Sequence, residues 1–355
     1  MLSQVRSIYR KRRNLKWMYI EERRNPHPLA WRKRIRAWRM GFLSGSYLYL
    51  DLDHHDPSDY INDRMRFLRL SALNGPYAEI LHNKLLFGEV FRRHPDVVPE
   101  TYALVRQKRV WPMSDVERVS SVDGILDLLS RKGKLVIKKT RGFGGSDCTI
   151  LEDRGGDVAF SGRVVSRDEA RERLGSRREL IVSEYVQQAT YAREIYPASA
   201  NSVRMLTMVD DETEEPFLAR AVHRFGGGGK MVDNVSQGGV AAIIGPDDDR
   251  LGIGVQIDEA GHPRNIECHP DTGARITGVQ IPHWQQVVDR VLELAREHPY
   301  MPYIGWDVIV TEDGLRILEG NSNSGVLFTQ FHGPLLADPR VRRFFERRGI
   351  IPSAS

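Results

Sequence analysis

Cysteine is nearly absent: Cys148 and Cys268 are the only two in 355 residues. Two thiols cannot make a disulfide framework, and neither stands at metal-ligand spacing, so a reducing, cytoplasmic setting is expected. No stretch approaches the ~20 consecutive apolar residues of a membrane span, and the N-terminus lacks an apolar core with a small-residue cleavage site. Neither a spanning nor a secreted chain is expected. Repeats and low-complexity tracts are missing as well. What remains is globular, since 41% hydrophobic and 28% charged residues exclude a coiled coil, a collagen-like chain and a wholly disordered one. A single apolar core stops growing at roughly 250–300 residues, which predicts division into lobes.

Acids are scarce in one place. Residues 1–40 hold 13 Lys or Arg against Glu21 and Glu22, a local balance of +11 in a chain whose total is +5, so the rest is mildly acidic. Val5, Ile8, Tyr9, Leu15 and Tyr19 fall roughly on one side of a helix, with most of the cations elsewhere. The arm reads first as a solvated helix face packed on the body. A docking element for a membrane surface or a partner protein is the second reading, the partner becoming a glycosyltransferase under the family resemblance named below. Nucleic acid is the least favoured, because no recognition motif or stacking platform accompanies the charge.

Along residues 1–110 helices and loops are expected, with apolar periodicity over 60–72 (Tyr60, Ile61, Met65, Leu68, Leu70) and 78–91 (Ala78, Ile80, Leu81, Leu85, Leu86, Val90). After Pro99, segments 134–138, 180–184 and 203–209 are short, apolar or β-branched, and bounded by Gly, Asp or Pro, which predicts strands. A helix over 283–297 is predicted from Trp284, Val287, Val288, Val291, Leu292 and Ala295, with Pro282 in its first turn. The fold class is α+β, two antiparallel-sheet lobes behind a helix-rich N-terminal region.

Four constellations carry chemistry. In the first, the strand 134–138 delivers Lys138, and Gly142, Gly144, Gly145 and Ser146 follow in a turn whose backbone N–H groups can close on a phosphate. It is neither a P-loop nor a dinucleotide fingerprint, and an ordinary glycine hairpin is the plain alternative. The second is a hairpin over 305–321. A three-residue loop of Glu312, Asp313 and Gly314 sets Asp307 opposite Glu319, whereas a two-residue loop turns them to opposite faces. Opposed carboxylates repel unless a cation lies between them, and Asn321 adds a neutral oxygen, a donor set suited to Mg2+. The third, Glu184, Tyr185 and Val186, is a strand end able to meet an adenine edge. The fourth joins Arg204, Arg224, Asn234 and Gly238-Gly239, where guanidinium forks could steady a phosphate. Surface salt-bridge arginines are the alternative there. The cluster Asp51 to Asp56 and the pair Cys268-His269 read as ordinary polar segments.

In this order, Lys84 in His82-Asn83-Lys84, the lysine–glycine turn, Glu184-Tyr185-Val186, Arg204, Asn234 and Asp307…Glu319-Gly320-Asn321 resemble the ATP-grasp superfamily over about residues 80–330. Within it the chain most resembles the sugar-transfer-associated group, a relative of amino-acid and glutamate ligases. The resemblance implies a small lobe over 111–190 with a glycine-rich flap and a large lobe over 191–335 with the metal site, the two clasping ATP. A helical region with the basic arm would precede them over 1–110, and a helix and tail would follow over 336–355.

It also implies ATP bound by Lys84, Lys138, the 142–146 turn and the Glu184–Val186 hinge, and Mg2+ on Asp307, Glu319 and Asn321. The activity implied is an ADP-forming carboxylate–amine ligase acting through an acyl phosphate on small molecules, an amino acid or a polysaccharide precursor. A phosphotransferase and a nucleotide-regulated binding module are the alternatives. In the D-alanine:D-alanine ligase branch an arginine stands two residues before the first metal carboxylate. Gly305 stands there here, so the stabilising cation falls to Arg204 or Arg224. Lys138 is preferred over Lys139 because it matches the family position.

Overall fold

A computed structural model of the chain describes residues 16, 18–24, 27–142, 148–176, 179–230, 232–235, 238–245 and 248–352. The chain divides into two units. One comprises residues 1–78, 190–307 and 321–355, the other 79–189 and 308–320.

The second unit is built on a seven-stranded sheet in the order β2-β1-β7-β3-β4-β5-β6. Its strands are β1 (Thr101–Arg106), β2 (Arg109–Pro112), β3 (Lys134–Lys138), β4 (Cys148–Arg154), β5 (Asp157–Phe160), β6 (Arg163–Val165) and β7 (Glu179–Glu184). Every pair is antiparallel. The β1–β2 turn is Gln107-Lys108, both at positive φ (50° and 65°), the backbone a two-residue hairpin demands even without the usual glycine. The helix Val122–Lys132 starts where Ser121 Oγ accepts the Gly124 N–H at 3.0 Å and ends at Gly133, φ 76°. Its Ile125, Leu126, Leu128 and Leu129 join Val105, Leu135, Ile137 and Val182 in one core. Each such side chain contributes about 1.5–3 kcal/mol relative to leaving it in water. The strand β1 falls inside the stretch 1–110 that was expected to be helical. Its Tyr102, Ala103 and Val105 are buried in the sheet core, and that burial decides its conformation.

The second sheet runs β12-β11-β10-β9-β8-β13-β14, with β8 (Val203–Val209), β9 (Pro216–Phe225), β10 (Val240–Ile244), β11 (Leu251–Ile257), β12 (Pro263–Ile266), β13 (Tyr303–Thr311) and β14 (Gly314–Asn321). β13 is buried throughout. The helix Trp284–Glu297 buries Trp284, Val287, Val288, Val291, Leu294 and Ala295. Leu294 thus takes the place expected for Leu292, and Pro282 precedes the N-cap His283 instead of sitting in the first turn.

Two further sequence expectations are revised. The periodic stretch 78–91 is two helices, Ala78–His82 and Lys84–Val90, because Asn83 leaves helical geometry and caps the second, its Oδ1 accepting from Leu85 N at 3.0 Å. Between β13 and β14 only Glu312 and Asp313 stand outside the strands. Gly314, expected in the loop, opens β14 with a φ of 150°.

Candidate functional site

In the second unit, β3 ends at Lys138, which pairs with Cys148 on β4 and Ile181 on β7. Lys138, the last residue of the strand, is half-buried, and Lys139, just beyond it, is exposed. Burial pushes the Lys138 ammonium below the usual lysine range. Cys148 and Glu319 pull it back in part, and Lys84 adds to the depression. Lys84 is held by its own backbone, whose N–H donates to Thr140 O at 2.8 Å. Its Nζ donates to Gly142 O at 3.1 Å and pairs with Glu319 Oε2 at 2.7 Å. Lys84, Lys138, Gly142 and Glu319 therefore form one cluster. Gly144, Gly145 and Ser146 lie outside the described residues.

At the other end of β3, Leu135 pairs with Glu184, three residues or about 10 Å along the ladder from Lys138. Glu184 Oε2 accepts the Glu100 N–H at 3.1 Å, so this carboxylate fastens the strand end. The Tyr185 ring lies 5.2 Å from Lys134 Nζ, and Val186 is buried.

In the first unit the conserving feature of the geometry is a carboxylate gripped by arginines. Arg204 on β8 donates Nε to Asp307 Oδ1 at 2.5 Å and Nη2 to Oδ2 at 3.1 Å, and both side chains are buried. Its Nη1 donates to Ser324 O. Arg224 on β9 reaches the same Asp307 Oδ1 at 3.3 Å and Asp233 Oδ2 at 3.2 Å. Asn321 Nδ2 lies 3.4 Å from Asp307 Oδ2. Both guanidinium groups lie over the Phe328 ring, at 5.3 and 5.8 Å. Gly305 explains how Arg204 fits: a Cβ there would come 2.5 Å from Ser324 Cβ and 3.3 Å from Arg204 Cδ. The missing side chain leaves room for an arginine delivered from the neighbouring strand.

Beside this cluster is a cavity of about 580 Å3, lined by His27, Tyr49 and Arg66 from the N-terminal segment, Arg224 and Asn234 from the middle, and Phe328 and Phe331 from the C-terminal segment. Asp258 also borders it, with its oxygens taken by His262 N at 2.8 Å and Arg264 Nε at 3.0 Å. Arg66 is different. Its Nε is buried without a hydrogen-bond partner, and no described carboxylate pairs with its guanidinium. Burial lowers its pKa, with Asp63 opposing. Burial also lowers that of His27, opposed by Glu22, which favours the neutral imidazole.

Asp307 and Asn321 belong to the first unit and Glu319 to the second, and each is an oxygen donor of the kind a hard divalent cation takes. Each carboxylate already has a cation of the protein's own, Arg204 with Arg224 on Asp307 and Lys84 on Glu319. Among the described residues no group of three His, Cys, Asp or Glu gathers as a metal cage. His54 instead pairs with Asp51 at 2.8 Å, and His269 is buried with its Nε2 on Gly226 O, also at 2.8 Å.

Sequence reasoning missed Arg66, Ser324 and Phe328. A lone arginine in a helical run and a lone phenylalanine in a loop carry no spacing signal. Only Gly325, at φ 64°, hints that the chain turns tightly there.

A model of the family described as sugar-transfer associated ATP-grasp matches residues 68–343. No curated protein matches the chain. Among solved structures the chain is similar to D-alanyl-alanine synthetase A from Vibrio cholerae, at 11% identity and a TM-score of 0.43, over 76% of this chain and 67% of that one. It is similar to D-cycloserine synthetase at 13% identity and a TM-score of 0.41, over 76% and 72%. A third is an ATP-grasp RimK domain protein from Sphaerobacter thermophilus, at 13% identity and 0.36, over 75% and 68%.

Proposed function

The chain belongs to the sugar-transfer associated ATP-grasp family, and from that premise we propose that it is an ATP- and Mg2+-dependent carboxylate–amine ligase. A substrate carboxylate oxygen attacks the γ-phosphorus of ATP and ADP leaves. The amine nitrogen then attacks the acyl phosphate carbon, phosphate departs, the nitrogen loses its proton, and an amide remains. The catalytic burden is positional and electrostatic, so cations on phosphate oxygens matter more than a side-chain nucleophile.

The observation that carries this reading is the layout along β3. A half-buried lysine with depressed pKa and a second lysine lie at one end, and the Glu184–Val186 strand end lies about 10 Å away at the other. That span suits a nucleotide, with phosphates at Lys84 and Lys138 and the base at 184–186. The 142–146 turn would cover the phosphates. Asp307, Glu319 and Asn321 would hold Mg2+, which supplies charge neutralisation to the phosphate oxygens. Arg204 and Arg224 orient Asp307 and, with Asn234, face the transferred group.

The substrate carboxylate would enter the cavity in the first unit, where Arg66 offers a guanidinium that no carboxylate among the described residues pairs with, and Phe328 and Phe331 offer an apolar wall. An amino acid or a polysaccharide precursor is the substrate class we favour, in a cytoplasmic setting. The test is a screen of amino acids and sugar acids. ADP and phosphate should appear in equal amounts only when carboxylate and amine are both present, and hydroxylamine should trap a hydroxamate. A phosphorylated product without free phosphate would replace the ligase by a kinase.

A further inference from the structure

The helix Trp31–Met40 (WRKRIRAWRM) carries a face that the proposed chemistry does not use. Trp31, Ile35 and Trp38 are 67%, 41% and 44% exposed. At about 100° per residue they fall within an arc of about 60° on one side, spread over about 10 Å of helix. The helix is anchored by its other side. Ala37 is wholly buried in a cluster with Leu29, Phe42 and Tyr47, and Gly41 closes the helix at φ 88°. Three large apolar side chains aligned in water on an otherwise well-anchored helix mark a contact surface.

The charge around that stripe is of one sign. By the same spacing Arg32 and Arg39 flank it on one edge and Arg34 on the other, and the helix contains no acid. Lys33 pairs with Asp53 at 2.6 Å and Arg34 lies 3.7 Å from Glu22. Arg36 acts on the Asp53 carboxylate from a distance, whereas Arg32 and Arg39 form no ion pair with a carboxylate among the described residues. The acids nearby are engaged: Glu22 accepts from Ser44, Asp53 from Lys33 and Tyr47, and Asp51 pairs with His54. Residues 1–15 add five more cations in sequence and no acid.

We propose that this helix lies on an anionic lipid bilayer, with Trp31, Ile35 and Trp38 at the headgroup–acyl boundary and the exposed Arg32 and Arg39 on lipid headgroups. An apolar centre rimmed by cations is the layout of an interfacial helix. Indole rings favour that boundary because one edge is apolar and the N–H is polar. A second copy is disfavoured, since pairing two such faces would bring their unpaired arginines together. No helix among the described residues is long and apolar enough to cross a membrane, so the contact is one of lying on the surface. The proposal is independent of the ligase reading.

The experiment is co-sedimentation of the full chain with vesicles of phosphatidylcholine and phosphatidylserine mixed, and of phosphatidylcholine alone. Binding to the mixed vesicles is expected, weakening as salt rises. It should fall ~10-fold or more in Trp31→Ser/Ile35→Ser/Trp38→Ser and in Arg32→Glu/Arg39→Glu, with melting temperature and solution ATP turnover unchanged. No binding to mixed vesicles, or binding that both variants retain, overturns the proposal. So does displacement of the vesicles by duplex DNA with the same loss in both variants, or a dimer of the parent that the triple variant dissolves. Vesicle binding without ligase activity would sink the ligase reading alone.

Discussion

Arg204 holds Asp307 in a two-pronged grip, Nε to Oδ1 at 2.5 Å and Nη2 to Oδ2 at 3.1 Å, with both side chains buried. A buried pair of this kind is costly to break from one side, because the remaining charge stays desolvated. Arg204→Ala is expected to lose about 3–5 kcal/mol of stability in urea unfolding. Arg204→Lys keeps the charge but not the fork, and should recover only part of that loss. Equal stability of all three proteins would show that the grip contributes nothing.

Asp307→Asn, judged from sequence alone, would read as a pure metal-ligand variant that leaves folding intact. With two guanidinium groups on the carboxylate, it should instead lower the unfolding midpoint as well as nucleotide turnover. Glu319→Gln releases the largely buried Lys84 from its ion pair and removes a charge that acts on Lys138 without pairing with it. Its turnover should fall with little change in midpoint, and measuring both quantities on both variants separates the two effects.

Lys138→Ala should weaken ATP binding more than Lys139→Ala, read by isothermal titration. The sign of the stability effect follows from the lowered pKa. Between the folded and unfolded pKa values the unfolded chain binds the extra proton, so stability rises with pH there, and below that window the buried charge costs stability. Lys138→Met is therefore expected to be as stable as the parent or more so at pH 7, and to lose the alkaline rise, while losing nucleotide affinity.

Arg66→Met tests the cavity. An unpaired, desolvated guanidinium is a cost to folding, so the variant should melt no lower than the parent. KM for the carboxylate substrate should rise ~10-fold or more, the loss of one charged hydrogen-bonding partner, with KM for ATP unchanged. A drop in melting temperature with both KM values unchanged would make Arg66 purely structural.

His223, buried against Phe225 and bonded to the Tyr191 hydroxyl at 2.8 Å, has its pKa pushed down from 6.5 to about 3 by burial. Between those values the unfolded chain holds the proton, so stability falls as pH drops from 6.5, by about 1.4 kcal/mol per pH unit. His332, pushed down to about 4 by burial, adds a second proton in much of that range. His223→Gln should remove one proton's slope from unfolding free energies measured between these pH values, and a slope identical to the parent's would contradict it.

The strand over 134–138 was legible because apolar alternation and flanking turn residues act over a few neighbours, whereas alternation said only that Lys138 and Lys139 point to different sides and the preference for Lys138 came from the family position. The N-terminal 110 residues were less legible. β1 lies among helical signals, and its identity depends on pairing with β7, whose residues follow more than seventy positions later. The hairpin loop was misread for a related reason. Whether Gly314 joins the strand depends on the ladder closing around it, and no local pattern states that.

Taken alone, the sequence determined the α+β class, the family and the concentration of positive charge in residues 1–40. The tertiary structure decided which charges meet. Arg204 and Asp307 are 103 residues apart, and nothing local at either position says that the carboxylate will be gripped by arginines. Only the folded chain shows that Arg66 meets no pairing carboxylate among the described residues, or that Trp31, Ile35 and Trp38 stay in water. Periodicity records which side of an element is apolar, whereas burial and pairing depend on what the rest of the chain brings against it.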